Sequence, residues 1–411
     1  MSEWRLAWRN VWRNPRRTAL TIAATVFAAF LAIVFVAMAR GSHGKMIEDS
    51  VRLGSGHVMV SAPGYLDDRS LDHSMVLDAV IAERLDEMPD IEAWAPRVVS
   101  FGLISESTTS QGVGLLGVEP ERERAVTTLF SRVSEGRFLS LDGDAREILL
   151  GEKLAEHIGA TVGDEVLVYG VAYSLETAYE LFRVVGLIGL PNSELERTLA
   201  VVDMGVLQDF LVLGNRVSEI AVLASHQAQT SHVRDVLASD LSGAEPPLAV
   251  HTWPEMLPDL DQILFLDDAG MYVMLAILVV VVGFGILNTV LMAVLERQRE
   301  LGVMLALGLP PRSVFRMVFM ESTVLAAIGL VLGVALAVPL TLWFQANPIE
   351  LGGELAALYE LVGSDPVIVF ELAWSSVLQT VLIILAVAVL ASIYPAVKAS
   401  RANPVDALRS V

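Results

Sequence analysis

Apolar residues crowd into four stretches, 18–40, 270–295, 317–344 and 374–394, each near the roughly 20 residues that a bilayer-crossing helix needs. Arg40 closes the first and Glu321 sits near the start of the third; the four stretches hold no other charge. A carboxylate inside a membrane segment is a functional candidate by default. Glu321 lies about one helical turn from Arg316, and a paired or hydrated residue near the interface is the simpler reading. Upstream of the first stretch, Trp4, Trp8, Val11 and Trp12 recur at helical spacing, with Arg5, Arg9, Arg13 and Arg16 on the other face. That pattern predicts an amphipathic interfacial helix over 1–17, broken at Asn14-Pro15. Ala37-Met38-Ala39 resembles a signal-peptide processing site, but the apolar run before it is longer than the usual 7–15 residues.

Between the second and third stretches the pattern changes. Glu296, Arg297, Arg299 and Glu300 crowd the start of 296–316, and Arg312 and Arg316 close it. Leu301, Met304, Leu305 and Gly308 fall at helical spacing on one face. A short amphipathic helix here either presents that face to something on the same side of the bilayer or is a solvated or lipid-interfacial loop. Small residues mark close helix approach in membranes: Ala24, Ala28 and Ala32 in the first stretch, Gly283 and Gly285 in the second. A generic alanine-rich span reads the same way.

The long segment 41–268 alternates differently. Residues 45–52 continue the first helix outward. Strands are predicted at 56–61, 91–105, 112–118, 165–169, 181–190, 198–202, 217–223 and 248–252, with helices at 76–88, 147–158 and 230–241. Strands and helices mix without strict alternation, so the class is α+β. A part inserted at about 119–204 is expected to interrupt it.

Charge adds orientation. Of 28 Lys and Arg, those in short segments lie before the first stretch, in 296–316 and in the tail 395–411; the loop 345–373 has five acids and neither Lys nor Arg. The positive-inside rule then places both termini and 296–316 in the cytoplasm, and 41–268 and 345–373 outside. Segment 41–268 holds 15 basic and 38 acidic residues, which argues against nucleic acid and anionic membrane surfaces as partners.

Candidate chemistry is sparse. With no cysteine there is neither a disulfide framework nor a thiolate site. The sequence lacks the G-x-x-x-x-G-K-[ST] loop that would cradle ATP phosphates. Seven scattered histidines show no ligand spacing, and Asp67, Asp68 and Asp72 lack the glycine and spacing of a calcium loop. No catalytic residues, cofactor or metal are assigned. A membrane chain with neither a catalytic set nor an ion path is most simply a mechanical partner of something else.

Three motifs carry a family resemblance. The run Leu6-Ala7-Trp8-Arg9-Asn10-Val11-Trp12-Arg13-Asn14-Pro15 opens the chain. Glu296-Arg297-Gln298-Arg299-Glu300-Leu301-Gly302 precedes Ala306-Leu307-Gly308. Tyr394-Pro395-Ala396 precedes Pro404-Val405-Asp406-Ala407-Leu408-Arg409. Together with the layout, they resemble the FtsX-type permease subunits of the MacB and LolC/LolE class of ABC transporters, over essentially the whole chain. Leu305 departs from the Arg or Lys that many members carry before A-L-G.

The resemblance implies four transmembrane helices with a large α+β extracytoplasmic domain between the first two, made of a split porter-like part and an inserted part. It implies an inner-membrane permease subunit that pairs with a second permease, homologous or identical. ATP and Mg would be bound by separate ABC ATPase subunits. Glu296, Arg297, Arg299, Glu300, Leu301, Gly302, Leu305, Ala306 and Gly308 would form the ATPase-coupling helix, and the small residues of the first two spans would pack the dimer or the spans against one another. Lipoprotein release, with a periplasmic chaperone or adaptor, is the implied function. MacB-like efflux and FtsX-like regulation of an external hydrolase are the alternatives.

Overall fold

The computed structural model describes residues 15–106, 109–141, 145–190, 193–243, 246–353, 356 and 366–402. The tryptophan-arginine pattern of residues 4–12 and the tail motif from Pro404 onward lie outside them. The chain divides into a membrane unit (Met1–His43, Ile263–Glu350, Val367–Val411) and an outer unit (Gly44–Gln262, Leu351–Pro366).

Four helices are long and apolar enough to cross a membrane: span 1 within Pro15–Ser50, span 2 in Pro258–Glu296, span 3 in Pro311–Ala346 and span 4 in Trp374–Ser400. Hydrocarbon offers no partner for a backbone N–H or C=O, so an uninterrupted apolar run must satisfy them internally, as a helix does. The small-residue stripe of span 1 packs within this chain. Ala28 and Ala32 are buried. A Cβ on Gly333 of span 3 would lie 2.6 Å from the Cβ of Ala29, and one on Gly329 2.6 Å from the Cβ of Thr25. Glycine on one helix and alanine on the other let the backbones close up. The close approach expected of the small residues is here to spans of the same chain: Thr25 and Ala29 meet span 3, and Ala32 packs with Leu330 of span 3 and Ile384 of span 4. Ala24 stays exposed. Gly283 faces Val387 of span 4, whereas a Cβ on Gly285 would meet open space. Span 2 is the least covered, with 6% of its apolar window buried against 44% for span 1.

In the outer unit the π-helical turn Val51–Ser55 is followed by β1 (Val58–Ser61), β2 (Met75–Val76), β3 (Ile91–Glu106), β4 (Thr109–Val118), β5 (Val133–Gly136), β6 (Glu147–Gly151), β7 (Glu165–Val171), β8 (Thr177–Ile188), β9 (Leu199–Asp203), β10 (Arg216–Val217), β11 (Glu219–Ala224) and β12 (Ala249–Thr252). The first half of β3 pairs with β11, which continues through β1 to β12 as an antiparallel sheet. Helices Ala79–Glu87 and Thr230–Asp240 contribute Ile81, Leu85, Val233 and Leu237 to the core on that sheet.

The second half of β3 does something else. It pairs with β4, β4 with β9, β9 with β6, β6 with β8, β8 with β7, and β7 back with β3. The strands close into a six-stranded barrel filled by Ile104, Leu115, Ile148, Leu150, Val168, Phe182 and Val202. A closed barrel of this strand number has an interior that side chains alone fill. Four barrel strands come from within 119–204 and two from the β3–β4 hairpin before it, so the pairing does not respect a boundary at 119.

One predicted element is corrected. Residues 147–151 are strand β6, and only Glu152–Ile158 is helical. Ile148, Leu149 and Leu150 are all buried, because β6 lies between β8 and β9 with both of its faces covered. A fully buried strand shows no alternation, and a continuous apolar run beside a true helix reads as helix. Strand β5 and the helices Pro120–Val126 and Met204–Phe210 were not anticipated.

Arg97 sits where sheet meets barrel and is fully buried. Its guanidinium donates to both carboxylate oxygens of Glu123, at 2.8 and 3.1 Å, lies 3.5 Å from Glu219, and donates to the carbonyl of Gly54 in the π turn. Nearby, the Glu48 carboxylate is bridged by Arg52 and approached at 3.4 Å by Nε2 of buried His57, whose ring nitrogens make no well-formed hydrogen bond. That carboxyl titrates at about 2 instead of 4.5, held down by His57 first and Arg52 next, against the opposing effect of burial. Burial likewise pushes the Tyr65 hydroxyl well above its usual range.

Candidate coupling site

Span 2 ends at Glu296. Arg297 leaves the helix at φ −101°, ψ 12°, and a nine-residue helix runs from Gln298 to Ala306. The single helix expected over 296–316 is therefore two elements, because Pro311 begins span 3 at a position where its missing N–H costs nothing. The turn between them is a Schellman motif. Leu309 N–H donates to the Met304 carbonyl (3.0 Å), Gly308 N–H to that of Leu305 (3.0 Å), and Gly308 adopts φ 94°. Gly308 thus reverses the chain.

The helix does not offer the face that its apolar spacing suggested. Leu301 is 2% exposed and Gly302 is buried. With Met304 and Leu305, Leu301 packs on Ile286, Val290 and Val294 of span 2, Val314 and Met317 of span 3, and Ala396 and Ala399 of span 4. Leu305, the departure from the family's basic residue, is half-buried against its own chain. Arg297 fixes the elbow by donating to both oxygens of Glu321 on span 3, at 3.1 and 3.4 Å, with Glu300 at 3.5 Å. Glu321 is thus held by an arginine from the preceding element, beyond the one-turn neighbour considered from sequence.

What remains outward is the opposite side and the tip. Glu296, Arg299, Val303 and Ala306 are exposed, and Leu307 is 83% exposed, with Leu309 and Arg312 beyond it. Leu307 was missed. It caps the helix Gln298–Ala306 on the side away from Leu305, and an apolar residue just past the end of so short a helix was the available signal. Among the described residues, no group of three His, Asp or Glu side chains could hold a metal.

Four spans, an α+β domain between the first two, and a short helix offering an apolar tip between the second and third define a membrane permease subunit of the ABC class. The MacB-like periplasmic core domain matches residues 18–239 and the FtsX-like permease C-terminal domain residues 272–404. The chain belongs to this family of FtsX-like, MacB-type permeases. The lipoprotein-releasing system transmembrane protein LolC of Xylella fastidiosa is 27% identical over 373 residues, 89% of this chain and 87% of that protein. The macrolide export ATP-binding/permease protein MacB of Bdellovibrio bacteriovorus is 26% identical over 384 residues, 87% of this chain but 52% of that protein. The crystal structure of the periplasmic region of MacB from Actinobacillus actinomycetemcomitans aligns over 51% of this chain and 92% of its own, with 18% identity and a TM-score of 0.36.

Proposed function

We propose that this chain is the transmembrane permease subunit of an ABC transporter that releases lipoproteins from the inner membrane. ATP and Mg are bound by separate ATPase subunits, and a second permease, a copy or a paralogue, completes the complex. The tip around Leu307 docks on an ATPase in the cytoplasm, where both termini also lie, and 41–268 works in the periplasm. Closure of the ATPases moves the spans, and the outer domain acts on cargo held outside, with a periplasmic chaperone or adaptor receiving it. Span 1 presents Ala24, Phe27 and Leu31 and span 2 presents Ile277 and Phe284 as uncovered faces for pairing.

The observation that carries the reading is end-to-end likeness. The alignment takes in 87% of the LolC relative but about half of the MacB relative, whose name includes an ATP-binding part. MacB-like efflux is the second reading, favoured by the periplasmic core match. The test is reconstitution of the permease with its co-purifying ATPase in proteoliposomes holding a radiolabelled lipoprotein. ATP-dependent transfer of the lipoprotein to a soluble carrier is expected. ATP-dependent macrolide transport without lipoprotein transfer overturns the reading in favour of efflux, and a permease that purifies with no ATPase overturns both.

A further inference from the structure

One side of the barrel's outer surface is covered by Phe138, Leu139 and Leu190, which pack on Leu149, Val185 and Val201. The other side is bare. Phe101 and Leu103 of β3, Tyr169 and Val171 of β7, and Tyr179 and Leu181 of β8 are 64, 52, 40, 55, 72 and 51% exposed. Pairing places Leu103 opposite Tyr169 and Tyr169 opposite Tyr179, so these side chains form one continuous sheet face. It extends to the β7–β8 hairpin tip, where Leu175 is 83% exposed at φ 65°, and Val212 is 63% exposed at φ 55°. Tyr173 N–H donates to the Leu211 carbonyl and holds the two tips together. A β-branched residue at positive φ is a strained arrangement, and here it keeps an apolar side chain in water.

We propose that this face docks on the same face of a second copy of the chain. The inference rests on the paired-permease reading. The exposed area of the six residues and the hairpin tip is on the order of 800 Å², above the largest patch usual for a monomer and equal to one partner's share of a standard interface. The charges at its ends suit a two-fold arrangement. Exposed Glu176 precedes β8, and exposed Arg183 is the last of its outward positions. Antiparallel apposition of two β8 strands about an axis near Tyr179 brings Arg183 of each copy toward Glu176 of the other, the self-complementarity that an isologous interface requires. The excess of acidic over basic residues in 41–268 opposes association of free domains, whereas two copies tethered through their spans meet at an effective concentration in the millimolar range.

The chain has no cysteine, so a single-cysteine variant of the full-length protein carries one thiol per copy. Sheets docked face to face lie about 10 Å apart, beyond the roughly 7 Å between Cα atoms that a disulfide bridges, so a short thiol-to-thiol bismaleimide is the cross-linker, applied in native membranes. Tyr179→Cys is expected to give a cross-linked dimer, and Ser239→Cys, exposed on the helix Thr230–Asp240, is not. Phe27→Cys on span 1 is the control for pairing itself. A Phe27→Cys dimer without a Tyr179→Cys dimer overturns the inference and leaves the paired permease standing. Absence of both overturns self-pairing and the inference together, and leaves a paralogue as the second permease. Cross-linking of Ser239→Cys to the same extent as Tyr179→Cys reveals random collision and also overturns it. In the Tyr179→Cys background, Arg183→Glu should lower the yield about five-fold, as expected for loss of two exposed ion pairs, and adding Glu176→Arg should restore it. An Arg183→Glu variant that cross-links like its parent refutes the two-fold arrangement.

Discussion

The proposed coupling tip can be separated from the packing that supports it. Leu307 has 83% of its surface in water, whereas Leu301, two turns earlier, has 2%. Burying a leucine side chain in a partner's groove contributes about 1.5–3 kcal/mol. Leu307→Ala removes most of that, so the ATPase should bind the permease about 10- to 30-fold more weakly, with the melting temperature unchanged because Leu307 touches little of its own chain. Leu307→Asp adds desolvation of a carboxylate and should abolish binding at micromolar concentrations. Leu301→Ala deletes a side chain packed among spans 2, 3 and 4, at about 2–5 kcal/mol of fold stability. Its signature is a lowered melting temperature, with ATPase binding lost only as the elbow loosens.

The assay titrates the ATPase onto permease in nanodiscs and follows tryptophan fluorescence on heating. If Leu307→Ala and Leu307→Asp both bind the ATPase like the parent, the tip is not the docking surface. If Leu301→Ala weakens binding without lowering the melting temperature, the inward packing of that face is wrong.

Other consequences follow from the same geometry. Arg97→Met strands two carboxylates in the outer unit; such breakage of a buried pair costs about 3–5 kcal/mol, so amides of β3 and β11 should exchange hydrogen two to four orders of magnitude faster, while the neutral triple variant Arg97→Met/Glu123→Gln/Glu219→Gln recovers most of the protection. Gly333→Leu puts a side chain where a Cβ alone would lie 2.6 Å from Ala29, so spans 1 and 3 must separate and thermal stability should fall by about 1–3 kcal/mol or more. Glu48 titrates at about 2 in the folded state against 4.5 unfolded; its stabilisation is fully present above pH 4.5 and is lost as pH falls toward 2. Hydrogen exchange near Val51–Ser55 measured from pH 5 to 2 should show that loss, and Glu48→Gln should flatten it.

How much of this was legible in the sequence depends on which residues had to meet. The spans were visible because a bilayer punishes every unsatisfied backbone group, whatever the fold around it. Most strands of the outer unit were visible by alternation, since one face of β7 or β8 is dry and the other wet. Barrel closure was not. It depends on β3 meeting β7 and on the parallel pairing of β4 with β9, contacts between residues some 65 to 85 positions apart whose local patterns do not name their partners. The same limit applies to two apolar surfaces of the membrane unit. Ala28 and Ala32 announce that a helix comes close, and Leu301 and Leu305 announce that a face is covered. Neither pattern says by whom, and in both cases the chain's own spans supply the answer. The surface left for a partner is therefore found by subtraction: it is what remains apolar and exposed after the intramolecular claims on the pattern have been met. At the elbow between spans 2 and 3, that remainder is led by Leu307.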